Sequence, residues 1–238
     1  MNLSKTFKSS IFLFLATVLF SVSAFAQASK NVVVKSFNTV TISSGMDLYL
    51  TQGNTETLVV KGSSDAIKDV IVEQSGTAIK IRYKDGVNWG RIFKGQSIKV
   101  YVNYKTLKSL SATGGSDVFT ENTLKSDALS LTASGGSDLK LTLAVKDLSL
   151  NVSGGSDAEL KGSGENMQAT ASGGSDIDAF DYVVSNAKIQ VTGGSDANVN
   201  VSKALEASAT GGSDINYKGN AALKQISSSK SGDIKRVK

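Results

Sequence analysis

The second half of the chain alternates between apolar and polar positions. Leu110 and Ala112, Leu131 and Ala133, Leu150 and Val152, Ala169 and Ala171, Ile189 and Val191, and Ala207 and Ala209 are apolar. Ser111, Thr132, Asn151, Thr170, Gln190 and Ser208 stand between the members of each pair. A second alternating run follows a few residues later in each case, as in Leu139-Lys140-Leu141 and Ile177-Asp178-Ala179. A period of two is the mark of a strand with one buried face. No segment holds a 3.6-residue apolar period over a useful length, so the reading is all-β.

The two runs are separated by Gly-Gly-Ser-Asp, which starts at Gly114, Gly135, Gly154, Gly173, Gly193 and Gly211. The starts lie 18 to 21 residues apart. A fixed period near 20 marks a stacked repeat in which each copy is one unit of a solenoid. Two architectures fit: a parallel β-helix, or an antiparallel meander with the Gly-Gly pairs as hairpin turns. The corner repeats almost without change while the return, such as Lys146-Asp147 or Gly162-Ser163-Gly164, varies. Identical corners stacked on one another explain that difference, so the expected fold is a right-handed parallel β-helix. Rungs about 4.8 Å apart make six units a rod of roughly 25–30 Å.

The same grammar continues more weakly on both sides. Ser43-Ser44-Gly45-Met46-Asp47 and Gly62-Ser63-Ser64-Asp65 read as degenerate corners, and Ser229-Lys230-Ser231-Gly232-Asp233 as another at the far end. Strands are expected over 32–34, 40–42, 58–60, 79–83 and 98–102. The expected organisation is a signal segment over 1–26, an N-terminal β region with degenerate coils over 27–110, and the repeat solenoid continuous with it over 111–238. The final Ile234-Lys235-Arg236-Val237-Lys238 fits a charged cap on an open edge.

Composition narrows the function classes. Lys5 and Lys8, the apolar run Ile11 to Phe20 and Ala24-Phe25-Ala26 read as a secretory signal peptide cut after Ala26. No later run approaches the roughly 20 apolar residues of a membrane span. The expected location is therefore beyond the inner membrane: periplasm, outer-membrane surface or extracellular space. Removing the signal takes the net charge from +5 to +3, since Lys5 and Lys8 leave and no acid does. Such a mixed surface does not suggest nucleic acid. Cysteine is absent, which excludes disulfides, thiolate metal sites and a lipid-anchoring cysteine. Histidine is absent, which excludes His-assisted serine catalysis and His-ligated zinc. No proline interrupts the ladders.

A signal peptide, the early strand Ser44-Gly45-Met46-Asp47-Leu48-Tyr49-Leu50 and the tandem Gly-Gly-Ser-Asp units together resemble the auto-transporter adhesin, head GIN domain family of bacterial envelope proteins. The resemblance covers about residues 31–235. It implies a β-helical surface protein with an adhesive role and brings no catalytic residues with it. The family often carries a proline just before the repeats, whereas Asn103-Tyr104-Lys105-Thr106-Leu107 has none.

Stacked coils would place Asp117, Asp138, Asp157, Asp176, Asp196 and Asp214 in one column. Two bare charges about 4 Å apart repel by roughly 1 kcal/mol in water and about 4 kcal/mol at an effective dielectric of 20. Three arrangements relieve that. The Asp and Ser side chains can cap backbone N–H groups in turns where glycine supplies positive φ, with Thr113, Ser134, Ser153, Ser172, Thr192 and Thr210 adding a hydroxyl ladder. Calcium can bridge carboxylates and turn carbonyls, although the calcium-binding nonapeptide repeats recur every nine residues and carry a further glycine. The face can also present hydroxyls and carboxylates to a glycan.

A second candidate is the segment 84–96, where Trp89, the only tryptophan, stands near Arg91, Phe93 and Lys94. It would either stack on a sugar ring or cover the end of the coil. Gly86-x-x-x-Gly90 lacks the Gly-Lys-Ser/Thr of a phosphate loop. The function expected is a non-enzymatic envelope scaffold or binding module, with glycans or cell-surface proteins as partners and self-association through open ends. The alternatives are a carbohydrate-active enzyme using paired carboxylates, against which six equivalent Asp argue, and a calcium-stabilised secreted rod.

Overall fold

A computed structural model describes residues 28–88, 90, 97–228 and 232–238. The signal segment, Trp89, Arg91, Phe93 and Lys94, and Ser229 to Ser231 lie outside the described residues. The strands run in chain order β1 (Ala28–Val32), β2 (Thr39–Ser43), β3 (Asp47–Gln52) and β4 (Thr57–Gly62). A one-turn helix α1 (Ser64–Ile67) precedes β5 (Val70–Ser75), β6 (Ala78–Tyr83), β7 (Lys99–Tyr104), β8 (Ser109–Thr113) and β9 (Val118–Thr120). The long strands β10 (Leu124–Ser134), β11 (Asp138–Ser153), β12 (Asp157–Ser172), β13 (Asp176–Thr192) and β14 (Ala197–Thr210) follow. The chain closes with β15 (Asp214–Lys218), β16 (Ala222–Ser228) and β17 (Asp233–Arg236).

The repeat half is a parallel β-solenoid of about six turns. β10 to β14 pair parallel, and the register joins like to like: Asp138 with Asp157 and Asp176, and Ala133 with Val152 and Ala171. The antiparallel meander is thereby excluded. Burial follows the alternation. In β11, Leu139, Leu141, Leu143 and Val145 point inward, and Leu148, Leu150 and Val152 do so again. Lys146 and Asp147, two exposed residues in succession, shift the phase and mark a second bend in each turn.

One rung carries glycines where its neighbours carry large side chains. Gly162 and Gly164 pair with Leu143 and Val145, and the next rung fills the space with Tyr182. The buried Tyr182 hydroxyl reaches past Gly164 to donate to the Val145 carbonyl, 3.1 Å away and two rungs back. Burial pushes the Tyr182 phenol up to about 12.

The N-terminal half departs from chain order. β2 and β3 pair parallel with β8 and β9 on one side, and with β6 and β7 on the other. The first coil of the chain is therefore the second in space. Its corner over 43–47 stacks on the first Gly-Gly-Ser-Asp: Ser44 N–H donates to Thr113 O at 3.1 Å and Leu48 N–H to Asp117 O at 2.7 Å. Met46 takes the inward place of the serine and is fully buried. Beyond β6 and β7 the pattern turns antiparallel, with β5 on β6, β4 on β7 and β1 on β4. These strands close the N-terminal edge, as a solenoid end requires.

Gly62-Ser63-Ser64-Asp65 is not a corner. A Gly-Gly-Ser-Asp corner needs two successive residues at positive φ, and this segment has none. Ser63 instead sits at φ −67°, and its hydroxyl accepts the Ala66 N–H at 3.3 Å, capping α1. At the far end Asp233 stacks on Asp214 and β17 lies on β15, as a degenerate corner there requires.

Candidate functional site

The corners are held by three kinds of hydrogen bond. The backbone ladder runs through both glycines: Gly154 N–H donates to Ser172 O at 3.1 Å and Gly155 N–H to Gly173 O at 3.1 Å. Both glycines have φ near +70°, a conformation that costs other residues about 1–2 kcal/mol. At the next two residues side-chain oxygens become acceptors. The serines point inward and are fully buried, and each N–H donates to the hydroxyl one turn ahead: Ser137 to Ser156 at 3.0 Å, Ser156 to Ser175 at 3.2 Å, Ser175 to Ser195 at 3.0 Å.

The aspartates point outward and work in the opposite direction. Asp176 N–H donates to Asp157 Oδ1 at 3.3 Å, Asp196 N–H to Asp176 Oδ1 at 3.1 Å and Asp214 N–H to Asp196 Oδ1 at 2.9 Å. Each of these carboxylates thus gains a donor, and water screens the charges of Asp157, Asp176 and Asp196, which are exposed. Partial burial raises the Asp117 carboxyl above its ordinary range; the Asp138 N–H and Lys140 lower it, and Asp47 raises it further. Among the described residues no three carboxylates converge as a metal would require. Thr113, Ser134, Ser153, Ser172 and Thr192 stack in one register, outside the corner.

An aromatic ladder stands on the outer face of the N-terminal rungs. Tyr49 stacks on Tyr101 at 5.0 Å and on Phe119 at 5.2 Å, nearly parallel in both cases. Lys61 lies 4.5 Å over Tyr101. The three rings form one stack in which Tyr49 is covered on both faces and Lys61 covers Tyr101. They stabilise the sheet as cross-strand pairs and leave little face for a sugar ring.

Among the described residues, a groove of about 1320 Å³ runs along the second bend of each turn. It crosses six rungs, from Lys108 through Ser130, Ser149, Gln168 and Lys188 to Glu206. Five steps of about 4.8 Å make it roughly 24 Å long, parallel to the solenoid axis. Its floor carries a polar ladder: Asn166 Nδ2 donates to Asp147 Oδ1 at 2.7 Å, and Asn186 Nδ2 to Asn166 Oδ1 at 3.0 Å. Leu129, Leu148 and Met167 lie beneath, each 3% exposed or less. Lys108, Lys125 and Lys146 line it, with no ion pair among the described residues. Glu206, at the far end, is held below the usual carboxylate range by the Lys224 ammonium at 2.9 Å.

Residues 36–221 match the sequence profile of the family described as "Putative auto-transporter adhesin, head GIN domain". The chain belongs to this family. No curated protein is matched. Among solved structures, the chain is similar to a "putative adhesin" from Bacteroides fragilis NCTC 9343, at 22% identity and TM-score 0.82, over 89% of this chain and 97% of that one. It is similar to a "putative adhesin" from Parabacteroides merdae ATCC 43184, at 21% identity and TM-score 0.71, over 89% and 96%. A "putative lipid binding protein" from Parabacteroides distasonis ATCC 8503 follows at 18% identity and TM-score 0.68, over 89% and 97%. At these identities the likeness is one of fold.

The sequence reading centred on the Asp column and the Trp89 segment, and it missed the groove. Its one signal was the phase shift at Lys146-Asp147, which looked like a variable return and is the inner side of a bend. Among the described residues no helix is long and apolar enough to cross a membrane.

Proposed function

We propose that this member of the family is a non-enzymatic, adhesin-like module of the cell envelope that lays an elongated glycan along the axial groove. The carrying observation is the unbroken course of the groove over six rungs with the Asp147–Asn166–Asn186 ladder at its floor. An amide in such a ladder has a second N–H and a second lone pair to offer, the complement of a sugar hydroxyl. Asp147, Asn166 and Asn186 present such groups on three successive rungs, and Ser130, Ser149 and Gln168 line the same groove, which gives an elongated chain several polar contacts along the axis. The exposed Ala128, Ala144 and Ala204 lie beside these polar groups and offer an apolar complement to the face of a sugar ring. The Asp column serves the corners in this reading. The location is the periplasm or the cell exterior, reached through the signal segment.

The test is binding of soluble polysaccharides, neutral glucans and uronic-acid polymers, to residues 27–238 by calorimetry. Ala128→Trp and Ala144→Trp place a bulky ring on exposed positions in the groove. Both should weaken binding at least tenfold while leaving the melting temperature unchanged. Binding that survives both substitutions places the ligand elsewhere.

A further inference from the structure

The two ends of the solenoid are finished differently. The N-terminal rung is covered by antiparallel β5, β4 and β1. At the C-terminal end, among the described residues, β16 pairs with β14 alone and β17 with β15 alone. Their outer edges offer a row of backbone donors and acceptors to any strand that can reach them. The core is open there too: Leu223 is 39% exposed and Ile226 47%.

The short strand β17 is complementary to itself. Asp233 and Lys235 stack on Asp214 and Asn216 of the outer face, and Ile234 stacks on the inward Ile215. Side chains directly opposite in an antiparallel pair share a face. A two-fold axis at Ile234 therefore sets Asp233 against Lys235 of the second copy, Lys235 against Asp233, and Ile234 against Ile234. Centring the axis on Asp233 or on Lys235 opposes like charges, and a slip by one residue turns the strand's faces over. Two other charges at this end are already engaged, Lys224 with Glu206 at 2.9 Å and Arg236 with the Asn220 amide oxygen at 2.6 Å.

We propose that the C-terminal edge pairs with the same edge of a second copy of this chain, β17 against β17 about Ile234. The contact joins the open ends of two cores. Because a two-fold contact uses the same edge on both copies, it closes at two copies and does not grow into a fibre. This inference stands apart from the glycan reading.

Sedimentation equilibrium of residues 27–238 over a concentration series tests it. The unaltered chain should be a dimer in equilibrium with monomer. Asp233→Lys sets lysine against lysine across the axis, and Lys235→Asp sets aspartate against aspartate, so each variant alone should be monomeric. Mixed in equal amounts, the two variants should form a heterodimer, because each supplies the charge the other needs. Either substitution also breaks the Asp233–Lys235 pair within the chain, 2.7 Å apart, and mixing does not repair that. Recovery on mixing therefore isolates the contact between copies. A monomeric unaltered chain, a dimer indifferent to both substitutions, or a mixture that stays monomeric overturns the proposal.

Discussion

Ser156→Ala should destabilise the solenoid more than Asp157→Ala, although the aspartate carries the charge. The Ser156 hydroxyl accepts the Ser137 N–H at 3.0 Å, and both serines are fully buried. Alanine removes the acceptor and leaves that N–H with no route to water. An unsatisfied buried donor costs about 1–3 kcal/mol. The Asp157 carboxylate accepts the Asp176 N–H at 3.3 Å from an exposed position. Without it the N–H keeps the Ser156 carbonyl at 3.3 Å and gains water, so the loss should stay near 0.5 kcal/mol or less. Each kcal/mol is worth about 2–4 °C in a protein of this size, so Ser156→Ala should lower the melting temperature by about 2–12 °C. Urea titration of both variants, with unchanged slopes, gives the difference directly. If Asp157→Ala costs as much as Ser156→Ala, the inner serine ladder is not what secures the corner.

Gly154→Ala and Gly155→Ala should each cost about 1–2 kcal/mol for a positive φ, with Gly154→Ala the worse, because its added carbon meets Gly135 N at 3.3 Å while that at Gly155 meets nothing within 4 Å; equal losses by urea titration would show that stacking space is not limiting. Asp117 should make the protein less stable as pH rises through its raised pKa, since the folded state holds that proton more tightly than the unfolded chain. Asp117→Asn, whose amide oxygen still accepts the Asp138 N–H, should therefore match or exceed the unaltered protein at neutral pH, with the gain shrinking as pH falls toward the ordinary value of 3.8; a gain that grows on acidification refutes this. Melting curves in calcium and in EDTA should coincide, because the Asp carboxylates already serve neighbouring N–H groups. An ion at 100 times its dissociation constant would add about 2.7 kcal/mol and reveal a calcium site.

Much of the repeat half was legible because its information is local. Period-two alternation decides which face is buried, and paired glycines decide where the chain turns. Near-identity of successive corners decides that they stack, since each must fit the one before. The same logic located the corner at 43–47, where Ser44 takes φ +74° without the first glycine. It failed at 62–65, where the letters Gly-Ser-Ser-Asp match but a serine adopted the commoner role of helix cap.

What the chain alone determined is thus the rung: its strands, its corner and its parallel stacking. Only the tertiary structure decided how the rungs are ordered and finished. The insertion of β2 and β3 between β6–β7 and β8–β9 depends on pairings some 40 to 70 residues apart, which no local period encodes. The antiparallel cap depends on the same long-range choice. The groove arises because bends on six rungs fall in line, although each bend has a different sequence. A column of unlike residues is created by register, and register is a property of the stacked chain.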